Sequence, residues 1–537
     1  MHRMPLARRR ALAPFAVVAT GLITGLITGG TTDLAAAAPR PARAEELGID
    51  PITLLQWQEA CRLVDAHEAE IWPGYRLSEI PALMSHPGKA EVLLRFPRPP
   101  PSYVRFTGKN PLGADPATAE PLFVRRGTTL YSVVTDTTAN INGVQTLVVT
   151  DRGARDSIDD AWNLCTQVHE GFHAWASRAM KLPAYNELDL ADYPDLEPER
   201  AARLELEGEA LLAALAAESP DEREEQALRF LGLRERRRAG LAPAILRAED
   251  ANEMNEGLAT YVEWRALELW RDHGVGAALA AGQPGFDAAR ECKEEVEQRT
   301  TQLRHLARHT MAVNGDSFGT AVVRRRGYFF GGALGRLLDP LAPDWKGRVV
   351  QGVTLTELLH DALGAPAADE LAAEADAAED EANFAALVAR KETQAAPAAA
   401  AVARRVATVL EGAGTLLRID LSALTMAPLL PTSYTPFGVL RVAPGQRLFH
   451  MAPTAFDLGT ASVHTLSGDV AVIADDERKE LLIRTPLDSD AVLAALTRPS
   501  QPGVPSYADA ALRIEGVIQA TTVEADGSIV VRMAPAR

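Results

Sequence analysis

The sequence predicts an α+β protein, with a small N-terminal β-sheet, a mostly helical middle and a C-terminal antiparallel β domain. Three observations carry this. Short strand-like runs broken by proline clusters and an Asn-Gly pair fill residues 90–150. From Ser157 to about Ala362 apolar residues recur three and four apart. After about residue 403 strand texture returns, and Asp526-Gly527 between VIQATTVEA and SIVVRM is a hairpin signal.

The 537 residues divide into five segments. Residues 1–44 have the pattern of a secretory signal peptide: Arg3, Arg8, Arg9 and Arg10, an apolar stretch from Ala11 to about Gly30, and an Ala42-Arg43-Ala44 site. Its glycines and threonines disfavour a permanent span, so the expectation is an exported protein, periplasmic or secreted. An uncleaved anchor is the alternative. Segment 45–155 opens with a helix over 51–70. Strands follow at Glu91–Phe96, Tyr103–Phe106, Leu122–Arg125, Thr129–Thr135 and Val144–Thr150. Segment 156–362 starts at a Ser157/Asp160 capping box and is predicted to hold helices over 197–218, 221–240, 246–272, 286–312 and 318–341. The Arg234–Arg238 cluster reads as a solvated helix face. Segment 363–402, rich in Ala, Glu and Asp, reads as an exposed helical linker. Segment 403–537 is the β domain, with Val470–Ala474 and Leu481–Thr485 flanking a charged turn.

Composition excludes several classes. A net charge of −17 repels phosphate backbones and anionic lipid, so nucleic acid is not an expected partner, nor is stable membrane insertion once the signal is removed. Cys61, Cys165 and Cys292 form no CxxC pair, which rules out a disulfide framework.

Chemistry concentrates in SIDDAWNLCTQVHEGFHAWASRAM, residues 157–180. Positions 158, 162, 165, 168, 172 and 176 form an apolar helical stripe, and His169 and His173 lie on or beside it. Four apart on a helix, two imidazoles project side by side and can share one metal ion. Glu170, rotated from them, can reach a metal-bound water and take its proton as general base. Catalytic zinc needs a third ligand. Glu256 in AEDANEMNEGLATYVEW (248–264) is a candidate, and Gly257 beside it would permit close approach to the metal helix. Glu207, Glu209, Glu249 and Glu253 are rivals.

Asn255-Glu256-Gly257-Leu258-Ala259-Thr260-Tyr261-Val262-Glu263, together with the H-E-x-x-H of 169–173, resembles the paired signatures of gluzincin metallopeptidases. That clan contains aminopeptidase N and thermolysin. The resemblance covers about 140–345 and implies a zincin domain with Zn2+ held by His169, His173 and Glu256. GYFFGGALGRLLD (327–339) resembles the Y-x-K-G-A helix of aminopeptidase-N-like enzymes, with Phe330 where those carry lysine. It implies that Tyr328 stabilises the oxyanion. Between His173 and Glu256 lie 82 residues, a longer gap than in those families, which two inserted helices would fill. No G-x-M-E-N segment is present to bind a substrate N-terminus. INGVQTLVV (141–149) stands where gluzincins place the edge strand that pairs with peptide.

Three weaker signals are read structurally. His305 and His309 lack a following Glu and form a solvated or cleft-lining pair. Cys165 is small core filler. GDSFG (315–319) is a helix N-cap at Ser317 rather than a serine-hydrolase elbow. The expectation is therefore an exported zinc metallohydrolase, foremost a peptidase taking peptide or protein substrates. The alternatives are a non-catalytic binding protein on a zincin scaffold and a hydrolase of non-peptide esters or amides.

Overall fold

The computed structural model describes residues 47–106, 121–127, 136–151, 160–308, 319–424, 429–435, 438–459, 461–497 and 506–534. The signal-like segment, Thr129–Thr135, Ser157, His309 and Ser317 lie outside them. The protein is α+β, with a small N-terminal sheet, a helical centre and C-terminal sheets.

The chain opens with α1 (Pro51–Ala66) and the short α2 (Glu68–Ile71), then forms a six-stranded sheet. Its strands are β1 (Ala82–His86), β2 (Ala90–Leu94), β3 (Val104–Arg105), β4 (Leu122–Arg126), β5 (Thr137–Ile141) and β6 (Val144–Thr150), in the order β3-β4-β2-β1-β6-β5. Alternation sets the two faces. Met84, Val92, Val124, Leu147 and Val149 turn toward the helical core, while Leu83, Leu93 and Val148 join Phe96, Tyr103 and Ile141 on the other side. The segment 141–149 is not the edge strand that was expected. Asn142 and Gly143 take positive φ of 50° and 80° and reverse the chain tightly. This leaves β6 inside, paired to β1 and β5, with β5 outermost among the described residues.

The helical centre comprises α3 (Asp160–Ala179), α4 (Pro198–Ala216), α5 (Pro220–Arg238), α6 (Pro243–Asn252), α7 (Leu258–His273), α8 (Ala277–Gly282), α9 (Ala288–Arg308) and α10 (Thr320–Leu341). A single π turn, Glu253–Gly257, joins α6 to α7. Helix α3 is buried along most of its length. Gly171 is needed there, because a Cβ would lie 2.3 Å from Leu77 Cδ1.

The Arg234–Arg238 cluster is not a solvated face. Arg234 and Arg237 are fully buried, one turn apart on α5, and reach Glu207 on α4, Glu253 at the π turn and Glu249 on α6. Guanidiniums enter a core only when paired and hydrogen-bonded, and the carboxylates that pair them are buried alongside.

Small helices α11 (Trp345–Val350) and α12 (Leu355–Ala362) follow. The Ala-rich acidic segment forms α13 (Ala368–Glu381), which buries Leu371 and Ala375, and the long α14 (Phe384–Glu411). At its start α14 is tied to α4 by Lys391–Glu205 at 2.7 Å. Farther on, Val402, Val406 and Val409 pack on the β domain with Leu440, Leu448 and Ile473. That domain contains a seven-stranded and a four-stranded sheet. Among the described residues its strand pairs are antiparallel except one, between Ile529–Ala534 and Thr415–Asp420. No described helix is long and apolar enough to cross a membrane.

Candidate metal centre

Helix α3, the π turn and α10 supply the side chains of the candidate site. His169 and His173, one turn apart on α3, bring their Nε2 atoms to 3.1 Å from each other. Glu256 Oε2 lies 3.2 Å from His173 Nε2 and 3.6 Å from His169 Nε2. A tetrahedral zinc with ligands at about 2.0–2.1 Å sets its ligand atoms about 3.3–3.4 Å apart. The three atoms therefore form one face of such a tetrahedron. Donor atoms of His169, Glu170 and His173 also gather within 4.8 Å, but that spacing is too loose for all three to ligate one ion. The Glu256 triangle fits the donor set, and Glu170 fits beside it.

The π turn places Glu256. Such turns occur mostly at functional sites, because the extra residue re-aims the side chains around it. Gly257 does permit a close approach, but to α10 rather than to α3: a Cβ there would lie 2.5 Å from Gly331 Cα. This glycine-to-glycine crossing sets α10 and Tyr328 against the site. The rival carboxylates are engaged elsewhere. Glu207, Glu249 and Glu253 hold Arg234 and Arg237, and Glu209 pairs with Arg308.

Sequence reasoning missed the support around these groups. Glu263, seven residues past Glu256, accepts from His169 Nδ1 at 2.9 Å and is paired in turn with Arg299. It fixes the imidazole so that Nε2 faces the triangle. The seven-residue spacing to Glu256 was the available signal, since it returns a helix to the same face. Arg324 Nη2 donates to Glu256 Oε1 at 2.8 Å and also pairs with Glu187, leaving Oε2 directed at the histidines. Glu187 opens a 3-10 segment, Glu187–Asp192, whose Leu188 and Ala191 are buried in the β-domain core. The β domain thereby buttresses the site.

Electrostatics divide the carboxyls. Burial raises Glu256, but Arg324 and the two imidazoles outweigh it and hold the group well below the usual carboxylate range. Burial pushes Glu170 up to about 8; His169 opposes this, while Glu256 and Asp136 reinforce it. Glu170 Oε2 is buried without a hydrogen-bond partner among the described residues. Burial lowers His173, which keeps its imidazole neutral and able to ligate. Tyr328 stacks on His169 with centroids 6.0 Å apart and planes at 12°. Burial raises its phenol well above the ordinary value, with Glu256 and Glu170 adding to the effect, so it stays protonated and can donate.

The remaining expectations resolve simply. His305 is exposed. Cys165 is buried, and burial pushes its thiol up to about 12, which leaves it inert. Gly319 precedes the first turn of α10, and Ser317 lies outside the described residues. No family model, curated protein or solved structure matches the chain.

Proposed function

We propose that this protein is an exported, gluzincin-like zinc metallohydrolase that cleaves peptide bonds. The observation that carries the reading is the triangle of His169 Nε2, His173 Nε2 and Glu256 Oε2, with edges of 3.1, 3.2 and 3.6 Å. These three residues would hold Zn2+. Zinc there supplies Lewis acidity, polarising a carbonyl and making water nucleophilic at neutral pH.

The chain's own residues do the rest. Glu170 accepts the proton of the attacking water and returns it to the leaving amine. Its buried, unpartnered oxygen suits it to exchange a proton, since no internal hydrogen bond must break first. Tyr328 donates to the oxygen on which negative charge develops. Glu263 and Arg324 hold a ligand each, so the metal face does not reorganise during the reaction. Strand β5, outermost among the described residues, offers an edge to an extended peptide, and Asp136 at its start lies near enough to Glu170 to raise its pKa. A non-catalytic binding protein would have no use for Glu170, which touches neither imidazole in the way a structural support does.

The test is a peptide-library digest by zinc-loaded protein. Wild type cleaves, and Glu170→Gln, which keeps shape and metal, cleaves at least ~100-fold more slowly. A loaded wild type that cleaves no peptide defeats the reading. Sequencing the N-terminus of the exported protein tests removal of residues 1–44.

A further inference from the structure

Three consecutive arginines on α10 have three different fates. Arg324 turns to Glu256 and Glu187, and Arg326 pairs with Asp195. Arg325 turns to neither. Only 5% of it is exposed, yet no carboxylate pairs with it among the described residues. Burial lowers its pKa to about 10; of its neighbours, Tyr328 opposes that shift and Arg324 adds to it. A buried guanidinium without a counter-charge is costly and rare.

Its location gives it a use. Arg325 lines a cleft of about 90 Å³ that is also lined by His169, Glu170 and Tyr328. Arg325, Tyr328 and Phe329 are spaced i, i+3 and i+4, so they share one face of α10. The backbone positions of Arg325 and of Tyr328, the phenol assigned to the oxyanion, thus lie less than one turn apart, about 4.5 Å along the axis. The cleft's other acids are taken: Arg299 holds both Glu263 and Glu295. Gln302 Oε1, also at the cleft, is buried without a donor. A ligand that brings an anion and a neighbouring N–H would answer both groups.

We propose that Arg325 anchors a carboxylate of the substrate, so that the cleft selects peptides by an acidic group close to the scissile bond. The proposal rests on the peptidase reading for the word substrate, but the pocket itself can be tested without turnover. The carboxylate is either the α-carboxylate of a C-terminal residue or an Asp or Glu side chain. Either one pairs with the planar guanidinium through two parallel hydrogen bonds.

The experiment is titration calorimetry on zinc-loaded Glu170→Gln protein, with and without Arg325→Gln. The three probes are N-acetyl-Ala-Ala-Phe as free acid, the same peptide as its C-terminal amide, and N-acetyl-Ala-Ala-Glu amide. One carboxylate-bearing probe is expected to bind at least ~30-fold more tightly than the Phe amide, and Arg325→Gln abolishes that preference. Preference for the free acid identifies the C-terminus; preference for the Glu amide identifies the side chain. Equal affinities overturn the proposal, and so does a preference that survives Arg325→Gln, because the carboxylate would then sit on zinc alone. A second measurement needs neither metal nor peptide. Arg325→Met removes a largely buried charge that has no paired carboxylate among the described residues and should raise the Tm of the metal-free protein, whereas a lowered Tm would make Arg325 a structural pair and overturn the assignment. If calorimetry succeeds while wild type hydrolyses nothing, the peptidase reading has failed and the carboxylate pocket stands.

Discussion

Two clusters of buried charge lie within the helical centre, and they are finished differently. Around Arg234 and Arg237 the two guanidiniums are satisfied, and Glu249 Oε2 is left with only an ion pair to Arg238 at 3.2 Å. Both guanidiniums use all three nitrogens, and both oxygens of Glu207 and of Glu253 accept. Around His169 and His173 the support is equally firm, through Glu263 and Arg324, but among the described residues Glu170 Oε2 has no hydrogen-bond partner and Arg325 has no paired carboxylate. A closed network fixes helices α4, α5 and α6 in place. An open one, at a cleft, has capacity reserved for something else. The difference separates structural from functional burial of charge more sharply than burial does, since Glu207 at 0% and Glu170 at 3% exposure are nearly alike.

Breaking the closed cluster should have the largest effect on the fold. Glu207→Ala leaves two guanidiniums short of a shared partner, and urea denaturation should show a loss of about 3–5 kcal/mol. A loss below about 1 kcal/mol would mean that the network is relaxed by water, and the contrast with the open site would lose its force. At the open cluster, Glu263→Gln should spare stability by comparison and act on the metal. Zinc affinity should weaken by about 10–100-fold as the His169 imidazole loses its charged acceptor. Unchanged affinity would show that α3 alone aims the ring.

These outcomes bear on what the sequence makes legible. His169 and His173 could be named because helical spacing sets them side by side, and Glu256, 82 intervening residues away, because the stretch around it resembles a gluzincin signature. The layout of sheet, helices and β domain was legible in runs of period two and 3.6. What was missed depended on faces rather than on elements. Arg234 and Arg237 look like surface charge in one dimension, and only the packing of α4 and α6 against α5 shows that they are internal. Strand β5 (TTANI) was overlooked because an outer strand needs little apolar alternation, and β1 (ALMSH) because it lacks β-branched residues. The run Arg324-Arg325-Arg326 is uniform in sequence. A rotation of about 100° per residue sends one to the metal face, one to the cleft and one to Asp195.

The β domain belongs in this comparison too. Leu188 and Ala191 are held in its core, Arg447 pairs with Asp192 at 2.7 Å, and Glu187 at the head of the same 3-10 segment grips Arg324. The two halves of the protein meet in a short segment that positions a candidate metal ligand from behind.

The central claim is that three atoms from two distant helical segments share one metal ion. Metal analysis of purified mature protein, after zinc reconstitution and exhaustive dialysis, tests it most directly. The account predicts about one zinc per chain in wild type, with most of it lost in His173→Ala and in Glu256→Gln under the same dialysis. A wild type that remains metal-free, or variants that retain zinc at the wild-type ratio, would contradict it.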